Sequence, residues 1–578
     1  MNKYRVTICA VNSRFVHTSL APWYLSDAIS NRCGDGCEVN IVEGNINEHS
    51  TAIVKRIIAG RPDLVGFSCY IWNIEMIREL VGMVKDELPK SIIVLGGPEV
   101  SYNAEDVMKD NPRVDYIISG EGELPFAMLV ENIYSGKEQA LQDVPGLFWR
   151  KADGDGISTA DPHTTDVIPE SPYSEKYLEH IDGKIAYLET SRGCPFRCAF
   201  CLSGQTGGAR FFPVERAKCD MLKLANSGAK VIKLVDRTFN ADRKRAAELF
   251  QFIISHYGTD IPEGVTFHFE IAGDLLDDDT LSILSTAPPG LIQMEIGLQS
   301  FCKQTLEAIN RKTNVELLKY NIGRLMDMGN IHIHVDLICG LPFEDLSKVE
   351  QSFNTAIALR PHMLQLGFLK LLHGAQMREE PENFPCSHSP TPPYEVISTP
   401  WLSEEDMSLL YLVEEALNRM YNSGRFNRTL QYVLDRTELS PFNIFRDFGE
   451  MLESPIGQAA RSKNGGIPLD KLTELALNYF SSLPGVELAK LKDMMICDRL
   501  ATNNTGWLPP ILRVELRDRR SSDYKNAVRA LKNSPDYSGG FKRGYAPLET
   551  EDYVIYVEYK NRNPVTGEYP IIKVPLGD

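Results

Sequence analysis

Thr190-Ser-Arg-Gly-Cys-Pro-Phe-Arg-Cys-Ala-Phe-Cys201 is the most informative segment of the chain, because it holds Cys194, Cys198 and Cys201 in a C-x3-C-x2-C run. A cubane [4Fe-4S] cluster normally takes four thiolates, so a run of three indicates a cluster with one iron open to another ligand. The glycine before the first cysteine and the proline after it favour a loop that wraps around a cluster. The alternatives are a zinc site, which would want a fourth Cys or His nearby, and three buried thiols.

The same segment resembles the cluster motif of the radical S-adenosylmethionine (SAM) enzymes. In that family the amino and carboxylate groups of SAM chelate the open iron. The resemblance implies an enzyme with a [4Fe-4S] cluster on Cys194, Cys198 and Cys201 and with SAM as a second cofactor. Phe200, between two of these cysteines, resembles a residue that contacts the adenine of SAM.

Composition predicts a multidomain protein of the cytoplasm. The 578 residues leave room for about three or four domains, and the N-terminus enters a strand pattern at once. No apolar stretch approaches the length of a membrane span, so we expect neither export nor membrane binding. Outside the motif the twelve cysteines show no paired spacing, which favours free thiols over a disulfide framework. A net charge of -17 disfavours nucleic acid as the main partner.

The first 150 residues alternate between short apolar runs and helical patterns such as Asn73 to Glu87. The apolar runs begin at Arg5, Glu38, Leu64, Ser91 and Val114. Near-continuous apolar strands separated by crossovers predict a doubly wound, Rossmann-like parallel sheet that is covered on both faces. Ligands of such sheets lie beyond the carboxyl ends of the strands.

The loops at these strand ends resemble those of the cobalamin-binding domain that precedes many radical SAM domains. The closest matches are Gly96-Gly97-Pro98 and Gly120-Glu-Gly-Glu123, since paired glycines let a bulky ligand approach the backbone. The resemblance implies cobalamin at this edge, with its nucleotide tail near Ser68 and Gly96. The candidate contacts are Ser68, Gly96, Gly97, Glu121 and His17. The alternative is a flavodoxin-like module that binds nothing.

One part of the cobalamin pattern is missing. Carrier proteins supply a cobalt-ligating histidine from an Asp-x-His-x-x-Gly signature, which the loop after the first strand lacks. Asp161-Pro-His163 imitates it only in part, and we interpret its histidine as a solvated loop residue. His17 lies in the right loop, where a histidine is more often a hydrogen-bonding residue than a ligand. We therefore expect the lower face of cobalt to be left to water or to a non-ligating side chain.

Residues 151–183 read as a linker, because they are rich in Asp, Pro, Ser and Thr without periodicity. Over residues 184–399 the alternation of strand and helix resumes. Six apolar runs begin at Ile185, Val231, Val265, Leu291, Ile331 and His362. This order suits the open six-stranded parallel βα barrel of radical SAM enzymes, with functional side chains at the carboxyl ends of the strands.

Similarity to the family then assigns SAM contacts at the other strand ends. Asp236 stands where the family often has a Gly-Gly-Glu that meets the amino group of SAM. Glu270, Glu295 and Gln299 are expected to meet its ribose and carboxylate, and Ile338 to pack on adenine. Each carboxylate has the alternative of capping the next helix. The nearest cations, Arg210 and Lys233, are candidates for the SAM carboxylate.

Beyond residue 400 the pattern becomes mainly helical. Helices are predicted over 402–422, with a capping signal at Ser403, and around 440–455 and 468–482, followed by a terminal hairpin. Residues 400–578 resemble an uncharacterised C-terminal domain of some cobalamin-dependent radical SAM proteins. The four arginines Arg513, Arg517, Arg519 and Arg520 suggest an anionic ligand or, more commonly, a solvated helical face.

Both cofactors together imply methylation of an unactivated carbon, through a 5'-deoxyadenosyl radical and methylcobalamin. A rival interpretation uses the same cofactors for oxidation, ring contraction or cyclisation. A rival of another class is a non-catalytic corrinoid sensor or carrier, against which the cysteine run counts strongly. The expected partners are an electron donor such as flavodoxin or ferredoxin and a small-molecule or peptide substrate.

Overall fold

The computed structural model describes residues 3–151, 156–160, 167–204, 207–532 and 541–576. The chain divides into two compact units. The first comprises Met1–Thr286, Leu306–Thr313 and Phe368–Pro400, and the second comprises Ala287–Thr305, Asn314–Gly367 and Trp401–Asp578. The cysteine run and all the predicted cobalamin contacts belong to the first unit.

The N-terminal strands form the predicted parallel sheet. They are β1 (Tyr4–Asn12), β2 (Cys37–Asn45), β3 (Leu64–Ser68), β4 (Ile92–Gly96) and β5 (Tyr116–Ile118), followed by β6 (Leu147–Arg150) and β7 (Ile157–Thr159). The strand order is β2-β1-β3-β4-β5-β6-β7, with β1 to β5 parallel and the last two antiparallel. All five strands predicted for this region are therefore present.

Helices cover both faces of this sheet, as its continuous apolar strands require. They are α1 (Ala21–Cys33), α2 (Ser50–Ala59), α3 (Ile74–Glu87), α4 (Pro98–Ser101), α5 (Ala104–Asp110) and α6 (Glu123–Tyr134). Side chains alternate across the pleat, so Val6 and Ile8 enter one apolar core whereas Cys9 and Val11 enter the other. The sheet thereby presents its strand ends, rather than its faces, to a ligand.

The stretch read as a linker contains two short elements. β7 pairs with β6, and the helix α7 (Glu175–His180) follows. β7 has only three residues, which is too short to show a periodicity in the sequence. Pairing with β6 stabilises this strand, and the sequence does not show that pairing.

In the first unit the predicted barrel strands are β8 (Ile185–Leu188), β11 (Val231–Leu234) and β12 (Thr266–Ile271), which run parallel in the order β12-β11-β8. Between them lies an antiparallel pair, β9 (Ser191–Arg192) and β10 (Arg210–Phe211). The helices are α8 (Val214–Ala225), α9 (Arg243–His256) and α10 (Asp278–Ser285). Asp242 and Asp277 cap the last two helices by accepting hydrogen bonds from the backbone N–H of Arg245 and Thr280.

The second unit contains the other three predicted strands, in the order β15-β14-β13. Its elements are β13 (Ile292–Gln299), α11 (Lys303–Ala308, whose end returns to the first unit), α12 (Val315–Met328), β14 (His332–Cys339), α13 (Leu346–Ala358) and β15 (Met363–Phe368). Buried and half-buried residues alternate strictly along β13 and β14. One face of each strand therefore packs in a core and the other presents polar side chains.

Residues 368–400 belong to the first unit and hold α14 (Gln376–Glu379) and the short pair β16 (Ser387–His388) and β17 (Val396–Ser398). The Tyr394 hydroxyl donates to Glu99 Oε1 at 2.5 Å, and Met377 N–H donates to the Ala199 carbonyl at 3.0 Å. This segment therefore contacts both the first sheet and the cysteine loop.

The C-terminal region is mainly helical, as predicted. It comprises α15 (Glu404–Leu417), a π-helical turn (Asn418–Asn422), α16 (Asn427–Arg436), α17 (Pro441–Glu453), α18 (Pro455–Ala460), α19 (Leu469–Ser481), α20 (Leu488–Thr502), α21 (Asp518–Lys532), and the antiparallel strands β18 (Arg543–Pro547), β19 (Tyr553–Glu558) and β20 (Ile571–Pro575). Ser403 and Asp406 form the predicted capping box at the start of α15. The terminal hairpin carries an extra strand, β18. The fold class predicted from the sequence is confirmed.

Candidate functional site

A cavity of about 750 Å³ lies at the carboxyl ends of the first sheet. Its walls come from the ends of β1, β3 and β4, from the loop after β5, and from the ends of β8, β11 and β12. Of the predicted contacts it is lined by His17, Ser68, Gly96, Gly97, Glu121, Lys233 and Glu270. The structure therefore brings the predicted cobalamin contacts together with two barrel residues in one space, which touches the cysteine loop at Gly193 and Ser203.

The backbone at Gly97 has no room for a side chain. Gly97 has φ 112°, and a Cβ there would lie 2.5 Å from the Cys69 carbonyl oxygen. The loop is tied down further by Cys69 N–H, which donates to the Gly96 carbonyl at 2.7 Å. A glycine is therefore required where the cavity meets the backbone.

The wall next to this loop carries a flat aromatic pair. The rings of Tyr70 and Trp72 stack with centroids 4.4 Å apart and planes 7° from parallel. Trp72 Nε1–H donates to the Val11 carbonyl at 3.2 Å, which fixes the indole at the end of β1. Both rings line the cavity, and such a wall suits a large planar ligand.

His17 faces the barrel side of the cavity. Its Nδ1 lies 2.7 Å from the Tyr187 hydroxyl. Burial lowers the pKa of His17, and the positive charges of Arg14 and Lys233 lower it further. The ring is therefore neutral at pH 7, with one nitrogen engaged by Tyr187. Its relation to cobalt stays a prediction.

The three cysteines share one neighbourhood. Burial raises the pKa of the Cys198 thiol, Arg311 lowers it, and the charges of Cys201 and Cys194 raise it again. The loop is fixed on both sides of Phe200, because Ala199 N–H donates to the Ile309 carbonyl and its own carbonyl accepts from Met377. Phe200 itself is half-buried.

Each of these sulfurs has a polar neighbour. Arg311 Nη1 points at Cys198 Sγ at 3.8 Å, and Ser203 N–H donates to Cys201 Sγ at 3.4 Å. Thr238 Oγ1 lies 3.5 Å from Cys194 Sγ. Hydrogen-bond donors around three clustered thiolates fit an iron–sulfur cluster, since such bonds offset the negative charge on the sulfurs. The donor set is therefore suitable for the group that the motif predicts.

Asp236 does not reach the cavity. It is 1% exposed, and its carboxylate accepts hydrogen bonds from Thr190 N–H, Thr190 Oγ1 and Ser191 Oγ at 2.6 to 2.9 Å. Arg245 donates to the Thr190 carbonyl at 3.1 Å. The sequence predicted a contact between Asp236 and SAM, whereas in this structure the carboxylate holds the start of the cysteine loop.

The two predicted cations have different surroundings. Lys233 Nζ lies 3.9 Å from Glu270 Oε1, and both side chains line the cavity. Arg210 instead forms an ion pair with Glu121. Lys233 and Glu270 thus remain candidates for a polar ligand, whereas Arg210 serves a carboxylate of the first sheet.

In the second unit, Glu295 and Gln299 both lie on β13, and their contacts with SAM stay a prediction. They lie on the same face of β13 but four residues apart, which is about 13 Å along a strand. Glu295 lies near His334 and Asp336, with His334 Nε2 3.0 Å from Asp336 Oδ1 and Nδ1 3.9 Å from Glu295 Oε2. Ile338 follows on the same face of β14.

Sequence reasoning missed several charged residues. His334 and Asp336 stand at alternate positions of one strand, a signal that period-two counting would have found. Glu189 follows β8, and Arg192 lies inside the quoted segment next to the motif. Arg192 contacts Glu121, Glu123 and Glu189.

Two other sequence predictions concern residues away from the cavity. Asp161-Pro-His163 lies outside the described residues. Among the C-terminal arginines, Arg520 donates to the carbonyls of Leu548 and Glu551, and Arg519 pairs with Asp523. These two guanidinium groups are therefore engaged within the protein.

Comparison with protein families matches three segments of the chain. Residues 6–130 match the B12 binding domain, and residues 188–356 match the radical SAM superfamily. Residues 382–557 match a family of proteins of unknown function (DUF4080). The chain belongs to the cobalamin-binding radical SAM family. Its B12-binding and radical SAM domains imply cobalamin, a [4Fe-4S] cluster and SAM as cofactors.

Curated relatives of this radical SAM protein differ from one another in activity. A 2-(S-pantetheinyl)-carbapenam-3-carboxylate methyltransferase of Streptantibioticus cattleyicolor is 25% identical over 74% of this chain and 66% of its own length. An anaerobic magnesium-protoporphyrin IX monomethyl ester cyclase of Rubrivivax gelatinosus is 26% identical over 57% of this chain and 61% of its own. The chain thus spans no more than about two thirds of these relatives.

A solved structure shares the fold of this radical SAM protein. The cobalamin-dependent SAM radical enzyme OxsB, with aqua-cobalamin and SAM bound, superposes with a TM-score of 0.57. The match covers 86% of this chain and 79% of OxsB at 16% identity. Among the described residues no helix is both long and apolar enough to cross a membrane.

Proposed function

We propose that this protein is a cobalamin-dependent radical SAM methyltransferase that acts on an unactivated carbon of a small molecule or peptide. The observation that carries the proposal is the single cavity lined both by the cobalamin-type loops and by barrel strand ends beside the cysteine loop. When bound, the reduced cluster supplies the electron that cleaves SAM and methylcobalamin supplies the methyl group. The relatives with methyltransferase names support this activity.

The protein's own residues bind the cofactors and enclose the cavity. We assign Cys194, Cys198 and Cys201 to the cluster, and Ser68, Gly96, Gly97 and Glu121 to the corrin side of the cavity. Glu270 and Lys233 face the same space and are assigned to SAM or substrate. The stacked Tyr70 and Trp72 present an apolar wall, which excludes water where a radical must be protected.

The proposed function assigns a role to each of four segments of the chain. We infer a cobalamin domain over residues 1–150, a connecting segment over 151–183, a radical SAM domain over 184–399 and an accessory domain over 400–578. A flavodoxin or ferredoxin is the proposed electron donor, because the cluster must be reduced before each cleavage of SAM.

The test is methyl transfer from SAM labelled with deuterium in its methyl group. Anaerobically reconstituted protein with cobalamin, a chemical reductant and candidate small-molecule or peptide substrates should form 5'-deoxyadenosine and S-adenosylhomocysteine, and a product heavier by the labelled methyl group. Replacing Cys194, Cys198 and Cys201 with Ala should remove the iron, the 5'-deoxyadenosine and the methylated product. Cys219→Ala is the matched control, since Cys219 is an exposed thiol outside the motif.

A second candidate is an oxidation or cyclisation that uses the same cofactors. The relation to the magnesium-protoporphyrin ester cyclase favours this alternative. It predicts 5'-deoxyadenosine with no labelled methyl group in the product and with loss of hydrogen from the substrate. Full iron content in the triple cysteine variant would contradict both candidates.

A further inference from the structure

Arg192 is the centre of a half-buried ion-pair network. Its guanidinium contacts Glu121 Oε2 at 3.0 Å, Glu123 Oε1 at 2.5 Å and Glu189 Oε1 at 2.9 Å. Its Cζ also lies 5.2 Å from the centroid of the Tyr24 ring. The side chain is 14% exposed, so solvent and salt screen these contacts little.

The partners of Arg192 come from both parts of the cavity wall. Glu121 and Glu123 belong to the loop after β5 and the start of α6, on the cobalamin side. Glu189 follows β8 on the barrel side. The network thus joins the edge of the first sheet to the edge of the barrel across one guanidinium group.

Arg192 also belongs to the cysteine loop. It lies two residues before Cys194, and Gly193 between them has φ 80°, which sets the turn into the motif. Its backbone is fixed by pairing of β9 with β10, where Arg192 stands opposite Arg210. Arg210 contacts Glu121 as well, so two arginines from one β-pair hold the same carboxylate. A side chain so placed transmits the position of one loop to the other.

Arg192 supplies one of the two positive charges in this network. Three carboxylates face two guanidinium groups, and the Glu189 side chain is only 14% exposed. Burial raises the pKa of Glu189, and Arg192 lowers it. Removing Arg192 would leave Glu121, Glu123 and Glu189 repelling one another in a poorly solvated space. The loop of the cobalamin side would then move away from the barrel edge.

We propose that Arg192 is a positioning residue that sets the distance between the cluster and cobalamin by tying the cysteine loop to Glu121 and Glu123. The inference rests on the proposed function, because it needs both cofactors in this cavity. Arg192 also lines the cavity, but the role proposed for it is to hold the two loops together through its carboxylate partners.

The test measures the distance between two paramagnetic centres in the full chain without substrate. Pulsed electron paramagnetic resonance of cob(II)alamin and the reduced cluster should give one narrow distance distribution in the wild type. Arg192→Met should shift it to longer distances and broaden it. Arg192→Met combined with Glu123→Gln should recover part of the change, because one of the repelling charges is gone.

The matched control is Arg197→Met, which removes an exposed arginine from the same cysteine loop and should leave the distribution unchanged. Glu121→Gln provides a second variant if Arg192→Met does not fold, and should broaden the distribution more weakly. An unchanged distribution in both Arg192→Met and Glu121→Gln overturns the inference. A broadening that Glu123→Gln does not reverse also overturns it, since lost packing would then be the cause. Wild-type protein that binds neither cofactor instead contradicts the proposed function.

Discussion

At the scale of single residues, Arg311 places a positive charge beside a cysteine sulfur. Its Nη1 lies 3.8 Å from Cys198 Sγ. Hydrogen bonds and positive charge near cluster sulfurs favour the reduced form. Arg311→Gln should therefore lower the midpoint potential of the cluster, with iron content unchanged. A potentiometric titration followed by electron paramagnetic resonance measures this. Lys312→Gln removes an exposed neighbouring charge and should not shift the potential. Equal shifts in both variants would contradict the assignment.

Glu344 should make stability depend on pH. It is 1% exposed, burial raises its pKa to about 7, and hydrogen bonds from Ser300 and Ser352 offset part of that effect. Because the folded state holds this proton more tightly than the unfolded state, the stability it contributes is lost as pH rises from about 4.5 to 7.

Glu344→Gln should abolish that part of the pH dependence. The variant should gain up to about 3 kcal/mol over the wild type between pH 4.5 and pH 8. Urea unfolding of both proteins at the two pH values measures the difference, in which all other titrating groups cancel. A difference that does not change with pH would contradict the raised pKa.

His17 tests the missing cobalt-ligand signature. One ring nitrogen already contacts Tyr187, and the other is the only one left to bind a metal. We expect the cob(II)alamin form to show no nitrogen superhyperfine splitting in electron paramagnetic resonance, in the wild type and in His17→Ala alike. Splitting that disappears only in His17→Ala would identify His17 as a ligand and favour the non-methylating alternative.

Whether the sequence could predict a residue's contacts depends on how far apart the partners lie in the chain. The cysteine run is local, so sequence alone located it. The partners of Asp236, Thr190 and Ser191, stand about 45 residues earlier in the chain, and no local pattern could have shown that they bind its carboxylate. Arg192 was missed for the same reason, since Glu121 lies 71 residues away.

At the scale of elements, hydrophobic periodicity located the strands of the first sheet and the barrel. It failed for α20, a helix without a polar face. Asp493 and Asp498 are buried in α20, because Asp493 accepts hydrogen bonds from Thr550 and Asp498 from Thr429. Charged residues satisfied by distant partners break the amphipathic pattern that sequence reading requires.

The loop after β4 provides a prediction at this scale. Gly97→Ala should destabilise the fold by about 1–3 kcal/mol, because alanine strongly disfavours φ 112° and its Cβ would meet the Cys69 carbonyl. Gly96→Ala is the matched control: its nearest atom would be 3.7 Å away and its φ is ordinary. Chemical unfolding compares the two. Gly96→Ala should keep its stability yet bind cobalamin more weakly, since its methyl group enters the cavity wall. Equal unfolding midpoints would contradict the strain at Gly97.

At the scale of the whole molecule, the first unit contains contacts between segments that match different families. Residues 368–400, which overlap the start of the DUF4080 match, contact the first sheet through Tyr394 and Glu99. The same segment contacts the cysteine loop through Met377 and Ala199. Sequence could predict each domain by its own pattern, but not these contacts between them.

The ion pairs that Arg192 forms with the loop of Glu121 and Glu123 predict that cobalamin and SAM bind with positive coupling. Cobalamin fixes the loop of Glu121 and Glu123, which in turn holds the cysteine loop through Arg192, so less ordering remains for SAM to impose. With the cluster oxidised, hydroxocobalamin should therefore tighten SAM binding about fivefold or more, and SAM should tighten cobalamin binding by the same factor. Equilibrium titrations in both directions measure the two factors. Arg197→Met should preserve the coupling and Arg192→Met should reduce it. Identical SAM affinities with and without cobalamin would show that the two halves of the cavity bind independently.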